Sequence, residues 1–173
     1  VVDPAEVTVV VNVGDDITLH GLAISPDLDS ITYHLAGVTD PVRQWGRADE
    51  TQVVATELAR FDEPGWFTLG DRDLATHLYR TRRLREGAAL SRVTAEITAA
   101  FGLAVTLLPA TDDPLTTRIH TADGRDLHFQ EWWLRLRASV PARRFVSVGA
   151  DDARPAPGVL EALAEADVVL LAP

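Results

Sequence analysis

The hydrophobic positions of this chain alternate between short apolar runs and longer amphipathic stretches. A valine-rich run at 7–13 predicts the first strand, and its almost continuous apolar character is typical of a strand buried in a parallel sheet. A helix is predicted next, because apolar residues recur at helical spacing from Leu28 to Leu35, behind Ser25 as N-cap and Pro26 at the first helical position. A strand followed by a helix is the repeating unit of α/β proteins.

The same unit recurs along the rest of the chain. Apolar stripes predict helices from a cap at Asp49 to about Phe61, over about 71–87, and from a cap at Ser91 to about 101. Further elements are predicted as strands at 103–108, 144–148 and 168–172, a hairpin at 116–121 and 126–134, and a helix at 157–166. Together they predict one α/β domain over 1–173, with a three-layer Rossmann-like, mainly parallel sheet, helices on both faces and an added β-hairpin.

Composition narrows the classes of function. The net charge of −10 disfavours nucleic acid and anionic membranes as partners, and no apolar run reaches the length of a membrane span. Lysine is absent, so phosphates must be held by backbone N–H groups, arginine or a metal. The absence of cysteine excludes disulfides and thiolate zinc sites and favours a cytoplasmic protein. The chain opens on Val1 and has no methionine, so we expect a piece of a longer protein with both ends incomplete.

Paired aspartates follow three of the predicted strands. These pairs are Asp15-Asp16, Asp112-Asp113 and Asp151-Asp152. Ligands of open α/β sheets bind beyond the carboxyl ends of the strands, and Mg²⁺ prefers the hard oxygens of carboxylates. Aspartate pairs are also common in turns; a simple turn is favoured for Asp151-Asp152, and the choice stays open for Asp112-Asp113.

The first pair has polar neighbours that favour a magnesium site. Asn12, His20 and Asp27 lie close to Asp15-Asp16 in sequence. Asp27 also suits the first turn of a helix, where the helix dipole favours acids, so its position alone does not require a metal.

Other polar residues are expected to be structural. The segment 70–73 is typical of a capped helix start, and the arginines after it of a solvated helix face paired with acids. Trp45 differs, because a loop tryptophan beside Gly46-Arg47 could stack on a flat ring. The residues expected to be structural are His34, His77, His120, His128, Arg80, Arg82, Arg83 and Arg85.

A series of short motifs runs through nearly the whole chain. They are Asn12-Val13-Gly14-Asp15-Asp16, His20-Gly21, Ser25-Pro26-Asp27-Leu28-Asp29, Trp45-Gly46-Arg47 with Glu50-Thr51, Trp66-Phe67 with Leu69-Gly70-Asp71-Arg72-Asp73-Leu74-Ala75-Thr76-His77, Leu108-Pro109-Ala110-Thr111-Asp112-Asp113, Phe129-Gln130-Glu131-Trp132, and Pro155-Ala156-Pro157-Gly158-Val159-Leu160-Glu161-Ala162. In this order they resemble the 2-phospho-L-lactate transferase family, known in actinobacteria as phosphoenolpyruvate transferase.

The resemblance implies a step in the synthesis of a deazaflavin coenzyme. A phospholactyl or phosphoenolpyruvyl group moves from a guanosine diphosphate-linked donor to the ribityl hydroxyl of 7,8-didemethyl-8-hydroxy-5-deazariboflavin, and guanosine monophosphate leaves. Family members require Mg²⁺ and are typically homodimers. They begin with a strand and a Gly-Gly-x-Gly-Gly-type loop, which this chain lacks.

The resemblance also suggests roles for individual residues. Asp15 and Asp27 would bind the metal, although Asp16 could replace Asp15 in that role. Asp16 would contact the acceptor hydroxyl and act as its base. The residues expected to contact substrate or line the site are Asn12, Gly14, Asp16, His20, Arg47, Thr111, Asp112 and Asp113.

Two alternatives stay open. The first is a non-catalytic regulator that binds a nucleotide sugar, since the wider superfamily contains such proteins; the motifs at 25–29 and 45–47 favour the transferase instead. The second is a metal-dependent phosphohydrolase, which ranks lower because the sequence shows no metal-binding histidine cluster.

Overall fold

A computed structural model describes residues 2–61 and 65–172 of the chain. Its strands are β1 (Thr8–Val11), β2 (Ile17–Leu19), β3 (Leu22–Ile24), β4 (Thr106–Pro109), β5 (Thr116–Thr121), β6 (Asp126–His128) and β7 (Ala142–Val148). Its α-helices are α1 (Pro26–Leu35), α2 (Val53–Leu58), α3 (Asp71–Arg85), α4 (Leu90–Ala100) and α5 (Val159–Glu165). Short 3₁₀ turns cover Pro4–Glu6 and Ala59–Phe61, and a π-helical turn covers Glu131–Arg135.

The core forms around the parallel pair β1 and β4. Val9 lies opposite Leu107, and Val11 lies opposite Pro109. Val11 and Leu107 pack with Leu28 of α1 in one buried cluster, to which Leu90 of α4 adds. Helices therefore cover the buried face of a parallel sheet, and the α/β class predicted from the sequence is confirmed.

Two antiparallel units complete the sheet structure of the described residues. β2 and β3 form a short hairpin with Ile17 opposite Ile24. β5 pairs with β6 on one side and with β7 on the other, in the order β6-β5-β7. The predicted strand at 144–148 is present, and its partner is the added hairpin.

The second arm of the hairpin is shorter than predicted. A strand was expected over 126–134, but β6 ends at His128 and the chain turns into the π-helical segment. There Phe129 and Trp133 stack with their rings 7° from parallel, and the Trp132 ring meets Phe145 of β7 edge-on. The Trp132 Nε1–H group also donates to the Val140 carbonyl at 2.8 Å. The π-helical turn thus places Trp132 and Trp133 in contact with Phe145 and Phe129.

The start of α2 is capped from a distance. Asp49 was expected to cap it, but the helix begins at Val53, and the Asp71 carboxylate accepts the N–H groups of Val53 and Val54 at 2.9 and 3.0 Å. These bonds, and one from the Thr51 hydroxyl, lower the pKa of Asp71, with the hydroxyl contributing most. The prediction for Asp49 was therefore wrong because a better acceptor arrives from the neighbouring helix.

The start of α3 is capped in return by the loop before α2. Glu50 accepts the N–H groups of Arg72 and Asp73 at 2.7 and 2.8 Å. Gly70 makes this possible, since a Cβ at that position would lie 2.2 Å from the Glu50 side chain. The two helix starts are thus locked together by reciprocal carboxylates.

Two other sequence predictions differ from the structure. Ser91 lies inside α4 instead of capping it, because the helix starts one residue earlier, after Ala89. The segment 168–172 is not a strand: its side chains are exposed, with Leu171 at 96%, and no described strand pairs with it. A strand needs a neighbour for its backbone groups, and the apolar pattern alone does not supply one.

Candidate active site

The turn after β1 brings the two predicted metal ligands together. Asn12 accepts the Gly14 N–H at 3.0 Å through its side-chain oxygen. The Asn12 amide nitrogen then donates to Asp27 Oδ2 at 2.9 Å and to Asp15 Oδ1 at 3.3 Å. Asp15 comes from the loop after β1 and Asp27 from the first turn of α1, so one side chain joins carboxylates from two elements. We call Asn12, Asp15, Asp16 and Asp27 the acid cluster.

Gly14 is required by close packing in the same turn. Its carbonyl accepts the Thr117 N–H of β5, and a Cβ on Gly14 would lie 2.8 Å from Thr117 Oγ1. The hairpin strand thus presses directly against the loop that carries Asp15. A larger residue at position 14 would push the two apart.

Asp15 is buried and held on both of its oxygens. While Oδ1 faces Asn12, Oδ2 accepts a hydrogen bond from Gln130 Nε2. Burial, followed by the charge of Asp27, raises the pKa of Asp15 to about 6. Two carboxylates this close favour a bound cation or a shared proton.

Asp16 points in a different direction from Asp15. Its Oδ2 accepts the Ser25 hydroxyl at 2.7 Å, and its Oδ1 is buried without a hydrogen-bond partner. Burial is the main cause that raises the pKa of Asp16 to about 7, against the opposing effects of Ser25 and Arg80. The pKa of this carboxylate therefore lies near neutral pH, and one of its buried oxygens has no hydrogen-bond partner.

His128, expected to be structural, supports the Asp16 backbone. Its Nδ1 accepts the Gln130 N–H at 3.1 Å, so the proton is on Nε2, which lies 3.0 Å from the Asp16 carbonyl. Burial lowers the pKa of His128, in keeping with this neutral form. The expected structural role holds, and its place beside the acid cluster is new.

Arg80 is buried, contrary to the prediction of a solvated face. Its side chain is 2% exposed, and its guanidinium contacts both carboxylate oxygens of Asp29, one of them at 3.0 Å. It also lies 3.4 Å from the Ala23 carbonyl of β3. Arg80 therefore ties α3 to α1 and to β3 behind Asp16. The prediction was wrong because the four arginines of this run look alike in sequence. Of the four, Arg80 alone is among the buried residues that the structure describes.

A second acidic group lies next to Arg80. Asp29, Asp73 and His77 place one possible ligand atom each within 4.8 Å of one another. The Arg80 guanidinium already pairs with Asp29, and Tyr33 donates to Asp73 at 2.5 Å. Because the Arg80 guanidinium supplies positive charge there, these contacts are explained as a structural network.

The region after β4 uses its polar residues internally. Asp112 accepts both the N–H and the hydroxyl of Ser91, at 2.6 and 2.8 Å, and so fixes the start of α4. Asp113 accepts the Arg154 N–H at 2.8 Å, and buried Thr111 accepts the Asp113 N–H at 2.9 Å. None of these contacts joins the segment to the acid cluster.

Arg47 makes its contacts with residues outside the acid cluster. The Arg47 guanidinium lies 5.7 and 5.2 Å from the ring centres of Tyr33 and Phe101 and donates to the Arg72 carbonyl at 3.3 Å. His20 occupies the tight turn between β2 and β3 with a φ of 50°.

An apolar cavity opens between the β2–β3 hairpin, α2 and α3. Its volume is about 520 Å³, and its walls include His20, Phe67, Leu74 and Leu78, with Gln52 as a polar group. Cavities of this size commonly hold small organic ligands. Sequence reasoning placed His20 at a site but did not find the cavity, because its walls come from segments without a shared motif.

Several site residues could not be assigned from sequence spacing. Gln130 contacts Asp15 and Ser25 contacts Asp16, and the individual role predicted for Ser25 was that of a helix cap. It is the N-cap residue of α1, but its side chain makes no capping hydrogen bond. The motif around Gln130 was the one signal that pointed to it.

Comparison with solved structures shows a related fold. Two crystal structures of one protein from Bacillus halodurans, BH3568, described in one of them as a member of the upf0052 family, each superpose with a TM-score of 0.57, at 17% and 19% identity. The match covers 96% of this chain and 50% of the other.

Among the helices that the structure describes, none has the length and apolarity needed to cross a bilayer.

Comparison with curated proteins finds closer similarity. The chain is 51% identical to a phosphoenolpyruvate transferase of Thermobifida fusca and 52% identical to one of Mycobacterium sp. strain JLS. These matches cover 98% and 99% of this chain but only 54% of each relative, so the chain spans about half of their length. The family model described as 2-phospho-L-lactate transferase matches residues 2–173. With the acid cluster at the end of β1 and this match over almost every residue, the chain belongs to the 2-phospho-L-lactate transferase family.

Proposed function

We propose that the protein transfers a phosphoenolpyruvyl or phospholactyl group from a guanosine diphosphate-linked donor to the ribityl hydroxyl of 7,8-didemethyl-8-hydroxy-5-deazariboflavin. The observation that carries the proposal is the convergence of Asp15 and Asp27 on one amide nitrogen, with Asp16 beside them. Both of the relatives compared above are named phosphoenolpyruvate transferase, which favours the enolpyruvyl donor.

The donor set suits magnesium. Asp15 and Asp27 offer carboxylate oxygens from a loop and a helix start, and Mg²⁺ typically takes one or two protein carboxylates with substrate phosphates. When bound, the ion would neutralise charge on the diphosphate in a chain that has a net charge of −10 and no lysine. The geometry supports Asp15 as the metal ligand of the aspartate pair and leaves Asp16 for the acceptor.

Asp16 is the proposed base. Its pKa of about 7 matches the working range of a general base, and its Oδ1, which has no hydrogen-bond partner, would accept the proton. In the proposed step the ribityl oxygen attacks the phosphorus that carries the three-carbon acid. The bond from this phosphorus to guanosine monophosphate breaks, guanosine monophosphate leaves, and the hydroxyl proton passes to Asp16.

The apolar cavity is the proposed place for the acceptor ring. Its volume of about 520 Å³ falls in the range for small-molecule sites, and His20 lies in its wall close in sequence to Asp16. A flat, mainly apolar ring would bury its faces against Phe67 and Leu74, while the ribityl chain extends toward the acid cluster.

The test is product formation by the full-length protein. Deazaflavin and donor are mixed with and without Mg²⁺, and the coupled product and guanosine monophosphate are measured. We expect Asp16→Asn to lower kcat by about 10²- to 10⁴-fold, as for loss of a general base. Glu161→Gln, a change at an exposed site on α5, serves as the control.

Two results would refute the proposal. Tight binding of a nucleotide sugar without any transfer would favour the regulator, and donor cleavage without acceptor would favour the phosphohydrolase. A homodimer and a cytoplasmic location stay predictions from the resemblance and composition.

A further inference from the structure

The orientation of the Asn12 amide is fixed by its own turn. The Gly14 N–H can only donate, so the atom facing it at 3.0 Å must be the Asn12 oxygen. The nitrogen therefore faces Asp15 and Asp27, at 3.3 and 2.9 Å. Both hydrogens of one NH₂ group are used on two carboxylates that repel each other.

We propose that Asn12 is a positioning residue that holds the two metal-ligating carboxylates together before the metal arrives. Its partly positive NH₂ group takes the place of a cation between Asp15 and Asp27 in the metal-free protein. The inference rests on the proposed function only in treating these two acids as the metal site, and it replaces the substrate contact expected for Asn12.

The surrounding contacts explain why one amide suffices. Asp15 is buried and is held on its other oxygen by Gln130, so only the Asp27 side must be recruited. Asp27 sits on the first turn of α1, which gives its carboxylate a fixed origin. Each ligand oxygen keeps a second lone pair for a cation, so Asn12 can stay bonded when the metal binds. Groups that orient metal ligands in this way commonly change metal affinity by 10- to 100-fold.

The experiment is thermal melting of the full-length protein at pH 8, in EDTA and then in saturating Mg²⁺. Asn12→Asp keeps an acceptor for the Gly14 N–H but replaces the NH₂ group with a third carboxylate oxygen. Asn12→Ala removes the bridge without adding charge. The exchange variant, Asn12→Asp with Asp27→Asn, restores one amide and two carboxylates with their positions swapped.

In EDTA we expect Asn12→Asp to melt about 5 °C below wild type, from lost charge-assisted hydrogen bonds and added repulsion. The exchange variant should recover at least half of this loss. Mg²⁺ should raise the melting temperature of Asn12→Asp more than that of wild type, because the cation relieves three clustered charges.

Equal melting of Asn12→Asp and wild type in EDTA would overturn the inference, and so would an exchange variant no better than Asn12→Asp. If Asn12→Asp does not fold, Asn12→Ala and the exchange variant decide by the same comparison, with the exchange variant expected to be the more stable. No Mg²⁺ shift in any of the proteins would overturn the metal role. These melting experiments need no substrate, so they test the role of Asn12 independently of the transfer reaction. A protein that shows the expected melting temperatures but forms no product would contradict the proposed function alone.

Discussion

Replacing Asp16 by asparagine should stabilise the protein at alkaline pH while it removes the proposed base. Burial raises the pKa of Asp16 from its usual 3.8 to about 7. Ionising the carboxylate in the folded protein at pH 8 therefore costs about 4 kcal/mol relative to the unfolded chain, at roughly 1.4 kcal/mol per pKa unit. Asparagine avoids this cost and keeps an oxygen for the Ser25 hydroxyl, but it places an NH₂ group at the unpartnered position, which costs about 1–3 kcal/mol. The net gain expected at pH 8 is about 1–3 kcal/mol.

The pH dependence gives a sharper test than the value at one pH. A carboxyl whose pKa is higher in the folded than in the unfolded protein contributes stability at low pH. That contribution is complete below about pH 4 and is lost as pH rises through the folded pKa near 7. Between pH 5 and pH 8, the wild type should lose about 3 kcal/mol that the Asp16→Asn variant does not lose.

Urea denaturation at pH 5 and pH 8, in EDTA to exclude bound cations, measures this difference. Asp151→Asn is the matched control, because it removes an exposed turn carboxylate. A stability difference between wild type and Asp16→Asn that is the same at both pH values would refute the burial argument.

Two further predictions concern stability. Arg80→Met should lower the free energy of unfolding, measured by urea denaturation, by about 3–5 kcal/mol, because it leaves the buried Asp29 carboxylate without its partner. Arg82→Met, at an exposed pair with Glu86, should change the free energy of unfolding by less than about 1 kcal/mol. Gly70→Ala should cost about 1–3 kcal/mol, because it displaces Glu50 from two helix N–H groups. Gly65→Ala should be nearly neutral, because no atom of the described residues lies within 4 Å of the added Cβ. Equal effects at both glycines would contradict the close approach at Gly70.

The sequence alone predicted the elements whose signals are local. The valine run and the stripe from Leu28 to Leu35 predicted β1 and α1, because a run of β-branched apolar residues and an apolar stripe at helical spacing are both visible within a few neighbouring residues. The acid cluster was found for the same reason, since its members lie within one loop after β1 and one helix start. The α/β class followed from the order of these elements.

Only the tertiary structure decided which distant groups meet. Arg80 lies 51 residues from Asp29, and Gln130 lies 115 residues from Asp15, so no local period marks either contact. The cap of α2 comes from Asp71 of α3, and the strand expected at 168–172 has no described partner. In both cases the partner of the backbone groups depends on which distant segment packs beside them. Local sequence fixes the backbone period of each segment, whereas burial and the pairing of charges depend on the packing of segments far apart in the chain.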